Sequence, residues 1–342
     1  MPCPIRAAKV AFILIVYALT TKNVHPFLRK KKTMRRYFYP EKGFVETDTL
    51  HEGCWMKVVS PTTEDLDFLT NDLEIPESFI ADIADADERP RTEEEEGWNL
   101  TIVRIPIVAS DSATPYTTIP IGIIYSPERH IMVTVCYHRT QLMPDFIGHN
   151  RRKKIVVMSE TDFIFRLVHS SAVWFLKYLK QISSLIMEAE EALESSIRNE
   201  DLLQLMKLQK CLVYFSTSIR GNEAVINKLQ GSRRSIGYDE DLAEDVSIEL
   251  KQAYNTVTIH AEILTGTMDA FASVISNNVN TIMKRMTSVS ILLMLPTLIA
   301  SLYGMNVPSG LEQSPVAFWG LVVIAVVISV GAFFLLKRIK WF

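Results

Sequence analysis

Cysteine is scarce in this chain, with 4 in 342 residues. Cys3, Cys54, Cys136 and Cys211 lie far apart and none forms a Cys-x-x-Cys pair. Scattered, reduced thiols suit a cytosolic domain. Cys136 and His138 would share one face of a strand, but two ligands do not make a metal site. Charge of one sign is also lacking. The 36 Lys and Arg nearly balance the 39 Asp and Glu, leaving a net charge of −3 and a pI near 6.2. That balance gives no basic footprint for nucleic acid. No Gly-x-x-x-x-Gly-Lys-Ser/Thr loop, His-Glu-x-x-His or Gly-x-Ser-x-Gly occurs, so no enzyme is expected.

What the chain does have is two apolar runs near its end, at 286–303 and 316–336. The second is nearly all Val, Ile, Leu, Phe and Ala. Each approaches the ~20 residues that a membrane-spanning helix needs. Mean hydropathy is only +0.13 because a long charged part dilutes the two spans. Lys284 and Arg285 precede the first run, and Lys337, Arg338 and Lys340 follow the second. The intervening loop carries no Lys or Arg, only Glu312. Basic flanks stay on the cytoplasmic side. The expected topology is a hairpin in the plasma membrane (the inner membrane of a bacterium), with both termini and the large upstream region in the cytosol.

The first residues fit this scheme poorly. The apolar stretch 10–19 follows Arg6 and Lys9 like the start of an export signal, yet no clear small-residue cleavage site follows. Export would put the soluble part on the wrong side, and the stretch is too short to span comfortably. We read Met34 as the start of the mature chain and 1–33 as an extension of doubtful status. The alternative is a helix lying on the membrane surface.

Residues 34–160 read as a cytosolic α/β domain. A strand is expected at 55–59. A helix opened by Ser60-Pro61 should run through Leu69, and another should cover 76–86. The acidic run 93–96 reads as a solvated loop or face. Strands follow at 100–108, 119–125 and 131–137, the last two joined by the turn Ser126-Pro127-Glu128-Arg129-His130. Apolar periodicity then turns helical across 161–235. Phe163, Leu167, Trp174, Tyr178 and Ile182 mark one helix, and 200–229 a second that ends at Gly231. The stalk, 236–285, contains no proline, and the next one is Pro296. Helix over 241–303 would be about 95 Å long at ~1.5 Å per residue. Its polar Gln252, Asn255, Asn277, Asn278 and Asn280 argue for packing against copies of the same chain. The first span (286–305), the outer loop (306–315), the second span (316–336) and a basic tail (337–342) complete the chain.

On a helical wheel, Asn280, Met283, Met286, Ser290, Met294, Thr297, Ser301 and Gly304 fall within an arc of about 120°. Ile282, Val289, Leu292, Leu293, Ile299 and Tyr303 lie on the other side. Small residues at a helix–helix contact explain such a stripe. A narrow pore whose Met rings gate by dewetting explains it equally.

Tyr303-Gly304-Met305-Asn306, ahead of a second terminal span, resembles the CorA family of divalent-cation transporters. Pro296-Thr297-Leu298-Ile299-Ala300, Asn280-x-x-Met283-Lys284 and the tail Lys337-Arg338-Ile339-Lys340-Trp341-Phe342 follow the same pattern. So do Glu88-Arg89-Pro90-Arg91 and Leu242-Ala243-Glu244-Asp245-Val246. The resemblance spans about 34–342. It implies an α+β membrane protein, assembled as a homopentamer. A cytosolic α/β/α domain would lead into a long stalk helix, which continues as the first of two transmembrane helices. It implies that Gly304 lets the backbone turn tightly, that Met305 shapes the motif, and that Asn306 forms a ring receiving hydrated Mg²⁺. Asn280, Met283, Met286, Met294, Thr297 and Ser301 would line the pore. Asp82 and Asp245 would form a regulatory Mg²⁺ site between cytosolic domains. The chain departs from the family in its outer loop, which lacks a Met-Pro-Glu-Leu segment, and at Ser301, where glycine is frequent.

The function implied is Mg²⁺ uptake driven by membrane potential and gated by cytosolic Mg²⁺, with Co²⁺ or Ni²⁺ as further cargo. The alternatives are a zinc transporter of the same superfamily and a membrane-anchored metal sensor or scaffold that does not conduct.

Overall fold

The computed structural model describes residues 34–40, 43–109, 114–195, 199–232, 237–305 and 315–339. The extension 1–33, Asn306 with the outer loop to 314, and Lys340-Trp341-Phe342 lie outside the described residues. The chain divides into two units, Met1–Leu264 and Thr265–Phe342.

The first unit is built on a seven-stranded sheet of order β2-β1-β3-β7-β6-β5-β4. The strands are β1 (Arg35–Tyr39), β2 (Val45–Thr47), β3 (Trp55–Val59), β4 (Arg91–Glu95), β5 (Trp98–Val108), β6 (Tyr116–Ser126) and β7 (Ile131–Cys136). Only β3 and β7 pair in parallel. The other pairs are antiparallel. Their apolar, β-branched runs fit a sheet covered on both faces.

Helices α1 (Thr63–Asp67), α2 (Glu77–Ala84), α3 (Leu142–Lys153), α4 (Glu160–Ser195) and α5 (Asn199–Gln230) surround the sheet. On one face, Met56, Val133, Ile124 and Leu100 stand side by side in neighbouring strands. They pack with Phe79, Ile80 and Ile83 of α2. On the other face Trp55 meets Phe44 at 4.7 Å and Phe163 of α4 at 5.0 Å, with Phe146 of α3 at 5.5 Å from Phe44. The Trp55 indole N–H donates to Thr134 Oγ1 at 3.0 Å. Each of these fully buried rings contributes roughly 1.5–3 kcal/mol by leaving water. The α/β/α arrangement is therefore present.

Two local expectations are corrected. The acidic run is not a loop but the edge strand β4. Its alternate carboxylates find donors, Glu93 at Arg91 (3.0 Å) and Glu95 at Ser78 (2.7 Å). The helix after Ser60-Pro61 starts later, because Thr62 is its N-cap in a reciprocal capping box with Asp65. It then widens into a π-turn, Phe68–Asp72, instead of stopping at Leu69. The buried Cys136 thiol donates to the His138 carbonyl at 3.2 Å, and burial pushes it up to about 11.

Two close approaches set the helix positions. Gly122 stands in the row Val58–Val135–Gly122–Ile102. A Cβ there would lie 2.1 Å from Ile83 Cδ1 and 2.4 Å from Ile83 Cγ1. The missing side chain is the seat of Ile83, and so of α2. On the opposite side, β4 reaches only as far as Arg91 opposite Ile102. Beyond it, the buried Asn222 of α5 bonds Arg104 instead, accepting from its N–H at 2.8 Å and donating to its C=O at 2.7 Å.

Helix α6 (Glu240–Tyr303) runs unbroken for 64 residues, with Pro296 inside it. In the first unit it buries Ala243, Val246, Leu250, Ala253, Val257 and Leu264. The second unit holds the rest of α6 and α7 (Pro315–Arg338). Both helices are long and apolar enough to cross a membrane.

Gly122→Ala should destabilise the fold by about 1–3 kcal/mol, the usual cost of overpacking a closed core. Adding Ile83→Ala to Gly122→Ala should cost less than the two single changes summed, because it vacates the contested space. Chemical denaturation of the four proteins measures this, and strict additivity would refute the seat.

Candidate ion pathway and regulatory carboxylates

The membrane part of α6 has one partly covered side. Ser288 is fully buried, and Leu292, Leu295, Pro296, Ile299 and Tyr303 are half-covered. These recur at helical spacing. The expected pore stripe lies opposite. Asn280, Met283, Met286, Ser290, Met294, Thr297, Ser301 and Gly304 are all exposed, Met294 to 68%. Exposure alone does not separate them from Ile282, Leu293 and Leu298, which are exposed as well.

The stripe's hydroxyls bond back along the helix, as Ser288 does on the covered side. Ser290 Oγ donates to Met286 O at 3.0 Å and Thr297 Oγ1 to Leu293 O at 2.8 Å. Each hydroxyl spends its only proton inside its own helix, which satisfies it in a medium without water. What remains outward is an oxygen with acceptor capacity. Such oxygens receive hydrogen bonds from the water shell of a cation.

Gly304 is placed differently from expectation. Its N–H donates to Ala300 O at 3.0 Å, continuing the helix. It is not among the residues with positive φ. A Cβ would meet Ala300 O at 3.4 Å and Ser301 O at 3.7 Å, so among the described residues neither φ nor crowding requires glycine at this position. Met305 follows, 56% exposed. Asn306 lies outside the described residues.

The two regulatory candidates sit in the first unit. Asp82 is on α2, the helix seated by Gly122. Its Oδ2 accepts from Arg91 Nη2 at 2.6 Å. Arg91 also pairs with Glu88 and Glu93. Burial alone would pull the Arg91 guanidinium down, but the Glu93 hydrogen bond and the charges of Asp82, Glu88 and Glu93 raise it. Asp245 is exposed on the first turns of α6. Among the described residues, no group of three or more His, Cys, Asp or Glu side chains gathers as a metal cage. A single chain does not assemble Asp82 and Asp245 into a cage. Sequence reasoning missed Arg91 as the partner of Asp82. Its only signal was the Glu88-Arg89-Pro90-Arg91 segment, noted without a role.

A model of the CorA-like Mg²⁺ transporter protein family matches residues 51–338. The cobalt/magnesium transport protein CorA of Methanocaldococcus jannaschii is 26% identical over 293 residues, covering 84% of this chain and 90% of that protein. The magnesium transport protein CorA of Helicobacter pylori is 22% identical over 292 residues, covering 82% and 87%. The solved structure of the complete M. jannaschii CorA superposes with a TM-score of 0.77 at 23% identity, over 91% of this chain and 99% of that one.

Arg91→Ala should leave Asp82, Glu88 and Glu93 as an uncompensated carboxylate cluster. The expected loss is about 1–3 kcal/mol, for charge-assisted bonds that are only partly exposed. Millimolar Mg²⁺ should recover more stability in this variant than in the wild type. Urea denaturation with and without Mg²⁺ checks both, and equal Mg²⁺ responses would contradict the arrangement.

Proposed function

The chain belongs to the CorA-like Mg²⁺ transporter family, and from that premise we propose that it carries Mg²⁺ across the plasma membrane as a homopentameric channel. The family are transporters, so no catalytic step is assigned. The observation that carries the proposal is the exposed stripe Asn280–Ser301, with its hydroxyl protons turned into the helix. Five such stripes around an axis would give alternating rings of thioether and acceptor oxygen, leading to the Gly304-Met305-Asn306 mouth.

Mg²⁺ surrenders its waters reluctantly. A pore that accepts hydrogen bonds from those waters selects the ion without stripping it. Asn306 offers a carboxamide oxygen for that purpose at the entry. The Met283, Met286 and Met294 rings supply apolar constrictions that close by dewetting. A membrane potential contributes about 4.6 kcal/mol per 100 mV to a divalent ion, at ~2.3 per charge, so inward flux needs no ATP. Co²⁺ and Ni²⁺ would pass by the same hydrated route. The basic flanks at Lys284-Arg285 and Lys337-Arg338 support a topology with both termini in the cytosol.

Feedback would act through Asp82 and Asp245 on neighbouring copies. A cation between them would hold the copies together and shift the population toward a closed ring. Its affinity should be in the ~0.1–1 mM range of sparse oxygen sites.

Uptake of Mg²⁺ into proteoliposomes under an inside-negative potential tests the function. Asn306→Ala should abolish it while the oligomer, sized by light scattering, stays intact. An intact oligomer that transports at the wild-type rate would remove Asn306 from the mechanism. Flux of Zn²⁺ without Mg²⁺ would instead give the zinc transporter, and no flux of any cation the non-conducting sensor. Feedback is tested separately by limited proteolysis of the full chain. Mg²⁺ should protect the wild type, and Asp245→Lys should be protected with or without Mg²⁺. A wild type cleaved equally in both conditions would eliminate the sensor.

A further inference from the structure

A cavity of about 320 Å³ opens in the first unit among β4, β5, the first turn of α4 and the end of α5. Glu94, Asn99, Thr101, Glu160, Lys228 and Ser232 are among its walls. Sheet register puts Glu94, Asn99 and Tyr125 side by side on the face turned toward α4. Glu160 opens α4 and is largely buried there. Asn99 Nδ2 donates to its Oε2, at a long 3.5 Å.

This corner is also where α6 is rooted. Ser159, the residue before Glu160, accepts from Asp162 N–H at 3.1 Å and donates to Gly237 O at 3.1 Å. Phe165 of α4 meets Tyr238 edge-on at 5.0 Å. At the end of α5, Gln230 Nε2 donates to Ala243 O at 3.4 Å. The turn that carries Glu160 therefore grips the segment entering α6.

Burial disfavours the ionised form of Glu160, and these groups surround it. β4 brings Glu93 and Glu94. β6 brings Tyr125, whose phenol is raised by burial and by the charge of Glu160. His130 stands behind it, with Nδ1 3.5 Å from the Tyr125 hydroxyl. The Lys228 ammonium of α5 donates to Thr92 O at 3.3 Å. On α4 itself, Asp162 is paired with Arg166 at 3.0 Å. Burial pushes the Glu160 carboxyl up to about 7, against a smaller opposite pull from Asn99.

We propose that Glu160 is a proton-operated latch on the root of α6. With its proton, the corner keeps its grip and Gly237–Ala243 is held; without it, a carboxylate draws water into the cavity and the entry to α6 loosens. Within the transport function proposed above, on which this part rests, loosening the root would raise uptake as cytosolic pH climbs toward about 7.

The sign follows from linkage. A carboxyl raised above its ordinary 4.5 keeps in the folded state a proton that the unfolded chain has already lost. Its stabilisation is complete at low pH and fades as pH rises to about 7, with no further change above. The full chain in detergent micelles is compared with Glu160→Gln, which stays neutral at every pH and keeps its size. Asn99→Leu serves as a second variant, removing the bond that favours the carboxylate. Amide protection at 238–246, corrected for intrinsic exchange, is followed from pH 5.5 to 8.5. Wild type should lose protection as pH rises to about 7 and change no further above it. Glu160→Gln should keep it throughout, and Asn99→Leu should lose it at higher pH. Superimposable wild-type and Glu160→Gln profiles, or an unshifted Asn99→Leu midpoint, would overturn the latch. Mg²⁺ uptake by the same proteins in vesicles should rise with pH in wild type and stay flat in Glu160→Gln. Equal pH profiles of uptake would overturn the coupling. Vesicles that pass no Mg²⁺ at any pH would refute the transport function, while exchange still decides the latch.

Discussion

One stripe of α6 fastens the long helix to the rest of the molecule. Ala243, Val246, Leu250, Ala253, Val257 and Leu264 recur at three, four and seven residues and are fully or almost fully buried. Past Leu264 this packing ends, and Ser288 is the next fully buried residue of α6. Ile248, Ile259, Ile263, Val274 and Val279 remain more than 45% exposed. Water penalises such a run of bare β-branched side chains, and packing in the membrane penalises bare Asn and Ser. Copies of the same helix beside it, with lipid farther along, relieve both costs. The self-association proposed above would meet both demands of the helix.

Much of this was legible in the sequence, for physical reasons that differ by element. The apolar runs that became β5, β6 and β7 are unambiguous because a strand covered on both faces needs no alternation. The helices α4, α5 and α6 declared themselves through sustained periodicity. Strand β4 did not, because four successive glutamates lack any strand preference of their own. Pairing with β5 and the donors Arg91 and Ser78 override that preference. The short strands β1 and β2 and the charged helix α3 carry too little apolar pattern to stand out. The delayed start of α1 depended on a side-chain cap, which one residue type at one position decides.

The candidate site was legible as residue types and less so as geometry. A wheel put Asn280 through Ser301 on one side, and the structure leaves that side exposed, opposite the covered Leu292, Ile299 and Tyr303. No pattern in the sequence states where a hydroxyl proton points. That direction decides whether Ser290 and Thr297 offer a cation's waters an acceptor or a competing donor. The role of Gly304 was no easier to read. A motif glycine suggests a backbone need, yet its N–H still bonds Ala300 O and its φ is not positive.

Asp82 changes the most between sequence and structure. From the family resemblance, it is expected to be a carboxylate that takes up a cation. In the fold it already meets a guanidinium shared with Glu88 and Glu93. Three carboxylates share the one Arg91, so a cation arriving there would compete with a guanidinium already in place. The pairing ties α2 to β4 whether or not an ion is bound. The sensor proposed above would therefore be a weak site on a prebuilt helix, one that releases its ion as cytosolic Mg²⁺ falls. Gly122, by seating Ile83, fixes that helix before any cation arrives.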